Sequence, residues 1–267
     1  MTKYRLLNTI DDVAAMHMAS DEAISIECSR KNSPYTLRFY TFNPSAITLG
    51  YGQRIQNLDL KKLEESPLDY VRRMSGGTAV LHDGDLTYAL IISEDDVPEK
   101  VIEAYKYLSQ GLINGLRNLG IRANYRTKEP NKTEQSCYIN ENPYDVVVRD
   151  KKISGNAQSR SNGVVVQHGT IIVDNKHQRL LDYLVLSQQK RKALLSQLEK
   201  KVTSLNDEAK RQIPLEELEA AFIKGFEELF FEQEISLEKA PLTKREKELA
   251  LELYKTKYST KQWNHLR

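Results

Sequence analysis

Residues 145–168 read DVVVRDKKISGNAQSRSNGVVVQH, and no other stretch of the chain narrows its possible folds so far. Two apolar runs, 146–148 and 164–166, bracket a middle segment, 152–160, in which side chains alternate. Asp150-Lys151 marks one turn and Asn162-Gly163 the other. Asn-Gly between alternating residues is a strong hairpin signal, because a type I′ turn needs positive φ at both central positions. The stretch therefore predicts a three-stranded meander whose middle strand opens at Lys152. That strand carries Gly155 and Ala157, so one of its faces has little bulk and a ligand can approach the backbone. Cys137 stands 15 residues before Lys152, in the approach to the first strand. A thiol brought beside a fixed ammonium is pulled from a pKa of about 8.5 toward neutrality or below.

Regular elements flank the meander. Residues 11–28 place Val13, Met16, Ala19, Ala23 and Ile26 near one stripe and predict a helix. The segment YTLRFYTFNPSAITLGYGQ predicts two strands around Asn43-Pro44. Next, LDYVRRMSGGTAVLHDGDLTYALIIS predicts a strand, a glycine loop, a strand, a turn at Asp83-Gly84-Asp85 and another strand. Residues 98–119 carry Ile102, Tyr105, Leu108, Leu112 and Leu116 at helical spacing and end at Gly120. From about 177 the chain turns to lysine, glutamate, glutamine and leucine. A helix over 215–231 follows Pro214, and Thr243 with Glu246 forms a capping-box pattern before a last helix toward Tyr258. The expectation is one α/β domain over 1–267, with a mixed or antiparallel sheet, flanking helices and a helical C-terminal portion.

Composition excludes several classes. The net charge is +2 without a lysine/arginine block, so no nucleic-acid partner is expected. No apolar run is long enough to span a membrane, and the first residues lack a signal-peptide core, so a cytoplasmic protein is expected. Two cysteines and five scattered histidines offer no structural metal spacing. Cys28 ends an amphipathic helix and reads as packing. Cys137 sits among polar neighbours, KTEQSCYINENPYD, which argues against deep burial and leaves it as a candidate nucleophile. In Arg73-Met74-Ser75-Gly76-Gly77 the paired glycines are either a plain turn or an anion-binding concavity. His82 and His168 each read as strand-end residues, able to polarise a carbonyl, to carry a proton, or simply to pack.

RRMSGGTAVLHDGDLTYALI and DVVVRDKKISGNAQSRSNGVVVQHGTIIVD resemble the two signature regions of the lipoate–protein ligase/octanoyltransferase superfamily. That superfamily shares its catalytic fold with biotin–protein ligase. The segment SCYINENPYDVVVRDKKISGNAQ is similar to the cysteine-dependent, M-type octanoyltransferases, whose nucleophile precedes a KxxGxAQ block. The resemblance implies Cys137 as the acylated thiol and Lys152 as the residue that lowers its pKa. It implies substrate-binding roles for Arg73, Gly76, Gly77, His82, Gly155, Asn156, Ala157, His168 and Gly169. It also implies a monomer that needs no cofactor. The donor would be octanoyl–acyl carrier protein, and the acceptor a lysine of a lipoyl-domain protein such as the glycine cleavage H protein or an E2 subunit. Three readings compete: an ATP-dependent ligase, an amidotransferase drawing on H protein, and a non-catalytic acyl-protein binder.

Overall fold

The computed structural model describes residues 2–126, 142 and 144–267. Its strands are β1 (Thr2–Asp12), β2 (Thr36–Phe42), β3 (Ala46–Leu49), β4 (Asp69–Arg72), β5 (Val80–His82) and β6 (Asp85–Ser93). They continue with β7 (Asn124–Tyr125), β8 (Val146–Val148), β9 (Lys151–Ser161), β10 (Val164–Ile172) and β11 (Ile235–Lys239). The helices are α1 (Ala14–Ser29), α2 (Leu60–Glu64), α3 (Val101–Asn118), α4 (Gln188–Lys201), α5 (Leu205–Ala209), α6 (Leu215–Phe230), α7 (Lys244–Leu253) and α8 (Lys261–Asn264).

Among the described residues the strands form two sheets. The larger runs β11-β1-β2-β6-β10-β9-β8-β7 and the smaller β4-β3-β5. In the larger sheet β1 pairs in parallel with β11 and β2, while the other pairings are antiparallel. The smaller holds one parallel and one antiparallel pair. This is the mixed α/β architecture that the sequence predicts. Strands β6 and β10 are buried almost end to end, as central strands covered on both faces are, and β10 buries Gln167, His168 and Thr170 along with its apolar ends.

Helix α3 forms where the spacing predicts it, and Gly120 takes φ 78° just beyond its end, a C-terminal stop suited to glycine. It crosses α6 at very short range: a methyl on Gly225 would lie 2.4 Å from the Gly115 nitrogen. The C-terminal helices are tied into the sheets. Thr243 and Glu246 form the predicted capping box, and the same Glu246 carboxylate meets Arg5 of β1 at 2.6 Å in a buried ion pair. Arg72 donates to the carbonyls of Gly50, Gln53 and Asn264, fastening β4 to α8. No helix among the described residues is long and apolar enough to cross a membrane.

Four readings need correction. The N-terminal residues form a long strand, β1, and α1 begins at Ala14 rather than residue 11. That helix buries His17, Asp21 and Glu27 besides its apolar positions, so one stripe does not describe it. The first meander turn falls at Arg149-Asp150, both at positive φ (48° and 64°), so Lys152 is the second residue of β9. His168 lies inside β10, not at its end, because the strand runs on to Ile172. The second turn, at Asn162-Gly163, has positive φ at both positions as expected.

Candidate active site

Antiparallel register builds the site. Thr170 of β10 stands opposite Gly155 of β9 on one side and Thr87 of β6 on the other; Thr87 in turn faces Tyr40 of β2. These residues form one cross-strand row, and all of them line a cavity of about 590 Å³. The smaller sheet and the loop after β4 contribute Thr48, Val80, His82, Gly76, Gly77 and Thr78 to its lining, and α1 contributes Met18.

Lys152 occupies one end. Its side chain is buried, and Nζ lies 3.0 Å from Asp145 Oδ1 in an ion pair. The register between β8 and β9 shifts here: Val147 pairs with Lys152 and Val146 with Ser154, so Ile153 is the extra residue of a bulge. Bulges re-aim neighbouring side chains and recur beside active sites. Asp145 is held in turn, because its Oδ2 accepts from the Asn142 amide at 2.9 Å. Gly155 makes room for the lysine. A methyl there would sit 2.8 Å from Lys152 Cε and 3.1 Å from Nζ.

The glycine loop is clamped by Arg73. Its guanidinium donates to the carbonyls of Gly76 (2.8 Å) and Thr78 (3.0 Å), and to the Thr48 carbonyl (3.2 Å). Gly77 takes φ 98°, and its carbonyl passes so close to Gly50 that a methyl on Gly50 would lie 1.9 Å from the oxygen. Only glycine fits at either position. Ser75 and His168 Nε2 share a short hydrogen bond. Burial, with the Arg73 guanidinium nearby, pushes the His168 imidazole down to about 3, so it is neutral at ordinary pH. His82 is oriented from both nitrogens: Nδ1 meets Asp85 at 2.7 Å and Nε2 meets Thr48 Oγ1 at 3.0 Å.

Lys152 and every candidate binding residue, Arg73, Gly76, Gly77, His82, Gly155, Asn156, Ala157, His168 and Gly169, line this one cavity. Asn156 also has a second duty: its carboxamide accepts from Tyr88 and donates to Ser109 of α3. Cys137 lies outside the described residues. Cys28 is buried, and burial pushes its thiol up to about 12, which fits the packing role read from the sequence. Sequence reasoning missed Asp145, Ser75, Thr87 and Thr170, and also the Tyr105–Tyr144 stack (centroids 4.0 Å apart) that lines the cavity beside Asn142. Asp145 had one legible signal, a carboxylate at the foot of a wholly apolar strand.

Comparison with known proteins identifies the family. The family model described as lipoyl protein ligase A/B catalytic domain matches residues 13–227. The octanoyltransferase LipM of Brevibacillus brevis is 37% identical, covering 99% of each chain. That of Bacillus subtilis is 33% identical over 99% of this chain and 98% of its own. Among solved structures, the bi-partite lipoate protein ligase of Thermoplasma acidophilum superposes with a TM-score of 0.79 at 26% identity, over 99% of this chain and 97% of its own. A lipoate-protein ligase A bound with ATP gives the same score and identity over 99% of each chain. The chain is an acyltransferase, and it belongs to the lipoyl protein ligase A/B catalytic domain family.

Proposed function

We propose that the chain transfers an octanoyl group from octanoyl–acyl carrier protein to a lysine of a lipoyl domain through a thioester on Cys137. The observation that carries this reading is the convergence of both sequence blocks on one cavity, with a buried ammonium, Lys152, at one end of a row of small residues. The full-length kinship with octanoyltransferases supports it.

The steps balance without an energy donor. The Cys137 thiolate attacks the carbonyl carbon of the donor thioester, a new C–S bond forms as the donor's C–S bond breaks, and the departing donor thiolate takes up the proton that Cys137 gave up on ionising. The exchange is nearly isoenergetic. The neutral acceptor ε-amine then attacks the acyl-enzyme, the C–S bond breaks, and the proton that the amine gives up as the amide forms passes to the departing Cys137 sulfur. Splitting the transfer lets two protein substrates use one groove in turn. In this reading Lys152 supplies the positive charge that favours the thiolate. Backbone amides at Gly76-Gly77 or Gly155 would steady the tetrahedral oxyanion, at about 2.7–4 kcal/mol per donor. The acyl chain is held by burial at about 0.8 kcal/mol per methylene. Because His168 is buried and neutral, it serves as a hydrogen-bonding group, with no charge to exchange.

The reading is tested by offering a lipoyl domain octanoyl–acyl carrier protein without ATP, and separately octanoic acid with ATP and magnesium. Octanoylation in the first mixture alone supports the transferase. Octanoylation in the second alone makes the chain a ligase. Octanoylated H protein as the only productive donor would make it an amidotransferase.

A further inference from the structure

The row from Gly155 to Tyr40 crosses four adjacent strands, β9, β10, β6 and β2. Strands lie about 4.8 Å apart, so three spacings carry the row roughly 14 Å. Its residues are small at Gly155, Thr170 and Thr87, then abruptly large at Tyr40. An extended eight-carbon acyl chain, advancing roughly 1.3 Å per 1.5 Å bond, reaches about 9 Å. With its carbonyl at the Lys152 end, such a chain finishes over Thr87, against the Tyr40 ring.

Tyr40 is held from several sides. Its hydroxyl donates to Asp21 Oδ2 at 2.9 Å, its ring stacks on His17 at 4.3 Å, and the Arg38 guanidinium lies 4.3 Å from the ring centroid. Asp21 and Arg38 form a buried ion pair at 2.6 Å, and Arg38 also meets His17 Nδ1 at 2.8 Å. No step of acyl transfer uses this network, although buried ions need a reason to be kept. Met18 and Phe42 line the cavity beside Tyr40.

We propose that Tyr40, with Met18 and Phe42, is the end wall that sets acyl length at about eight carbons, and that the Asp21–Arg38–His17 network exists to hold that wall still. A close-packed, immobile wall rejects an added methylene, whereas a yielding one accommodates it. The inference rests on the acyl-transfer reading of the same cavity.

The test uses two substitutions with opposite expected effects. Met18→Ala removes one side chain of the wall outside the Asp21–Arg38–His17 network, and Thr87→Leu fills the floor before it. Each is made in the full chain and checked for native circular dichroism. Acyl-enzyme formation from hexanoyl-, octanoyl-, decanoyl- and dodecanoyl–carrier protein is followed by mass spectrometry. Thermal shift with the corresponding free acids, on a Cys137→Ala background, reads binding without transfer. Met18→Ala is expected to raise the decanoyl-to-octanoyl ratio about tenfold in both readouts, and Thr87→Leu to lower the octanoyl-to-hexanoyl ratio by a similar factor. Folded variants whose ratios stay at the wild-type value overturn the proposal. Free-acid ratios that move while no donor acylates even the wild type would sink the transferase reading and leave the wall standing.

Discussion

Lys152 Nζ and Asp145 Oδ1 meet at 3.0 Å with both side chains almost wholly buried, so the cation that lines the cavity is itself tied to a carboxylate. The tie restrains the field that Lys152 can lend to a thiol, and it also fixes where that field is centred. A buried ion pair adds little net stability when intact. Removing one partner destabilises strongly, because the other is left charged and unmatched.

Breaking the pair from either side separates folding from chemistry. Lys152→Met is expected to lower unfolding free energy by about 3–5 kcal/mol. Adding Asp145→Asn should restore much of that loss in urea denaturation while acylation stays absent. Recovery of acylation in the double variant would contradict the role given to Lys152.

Gly155→Ala tests the same lysine without touching its charge. The added methyl would fall 2.8 Å from Lys152 Cε and 3.1 Å from Nζ, so the ammonium must move. Acyl-enzyme formation, measured in a quenched time course, is expected to slow by tenfold or more, in line with the sensitivity of catalysis to small misplacements.

Arg73→Lys should loosen the Gly76–Thr78 loop. The guanidinium reaches the carbonyls of Thr48, Gly76 and Thr78 at once, a fork that a lysine cannot reproduce. The expected outcome is a raised KM for the acyl donor and faster amide exchange at Gly76 and Gly77.

Acid should destabilise the fold through its buried histidines. Burial lowers His17 to about 2, His168 to about 3 and His177 to about 4. The unfolded chain takes up these protons near pH 6.5, whereas the folded chain refuses them until far lower pH. Stability from each group is therefore complete above about pH 6.5 and is lost as pH falls toward the folded value, by about 1.4 kcal/mol per pH unit per histidine. Urea titrations between pH 4.5 and 8 should show this slope, and His168→Gln should remove one histidine's share.

Much of this was legible in the sequence because local chemistry and tertiary demand agreed. Asn162-Gly163 has positive φ at both positions, as its turn requires, and Thr243 with Glu246 caps a helix as the pattern implies. The candidate binding residues drawn from the two signature blocks line one cavity. What escaped was set by distant partners. Strand β1 pairs with β11, more than 220 residues away in the chain, and the strand before Lys152 turns at Arg149-Asp150 although neither residue is glycine or asparagine. Ser75 gains meaning only through His168, and Thr87 and Thr170 only through their common row. No spacing along a single segment encodes such pairs.

The central claim is a thioester on Cys137, and intact-protein mass spectrometry tests it most directly. The wild type and Cys137→Ala are each mixed with octanoyl–acyl carrier protein, without ATP, and weighed before and after hydroxylamine. The predicted result is one hydroxylamine-sensitive octanoyl adduct on the wild type and none on the variant. An adduct of equal yield on Cys137→Ala, or none on a wild type that still octanoylates a lipoyl domain, would contradict the account.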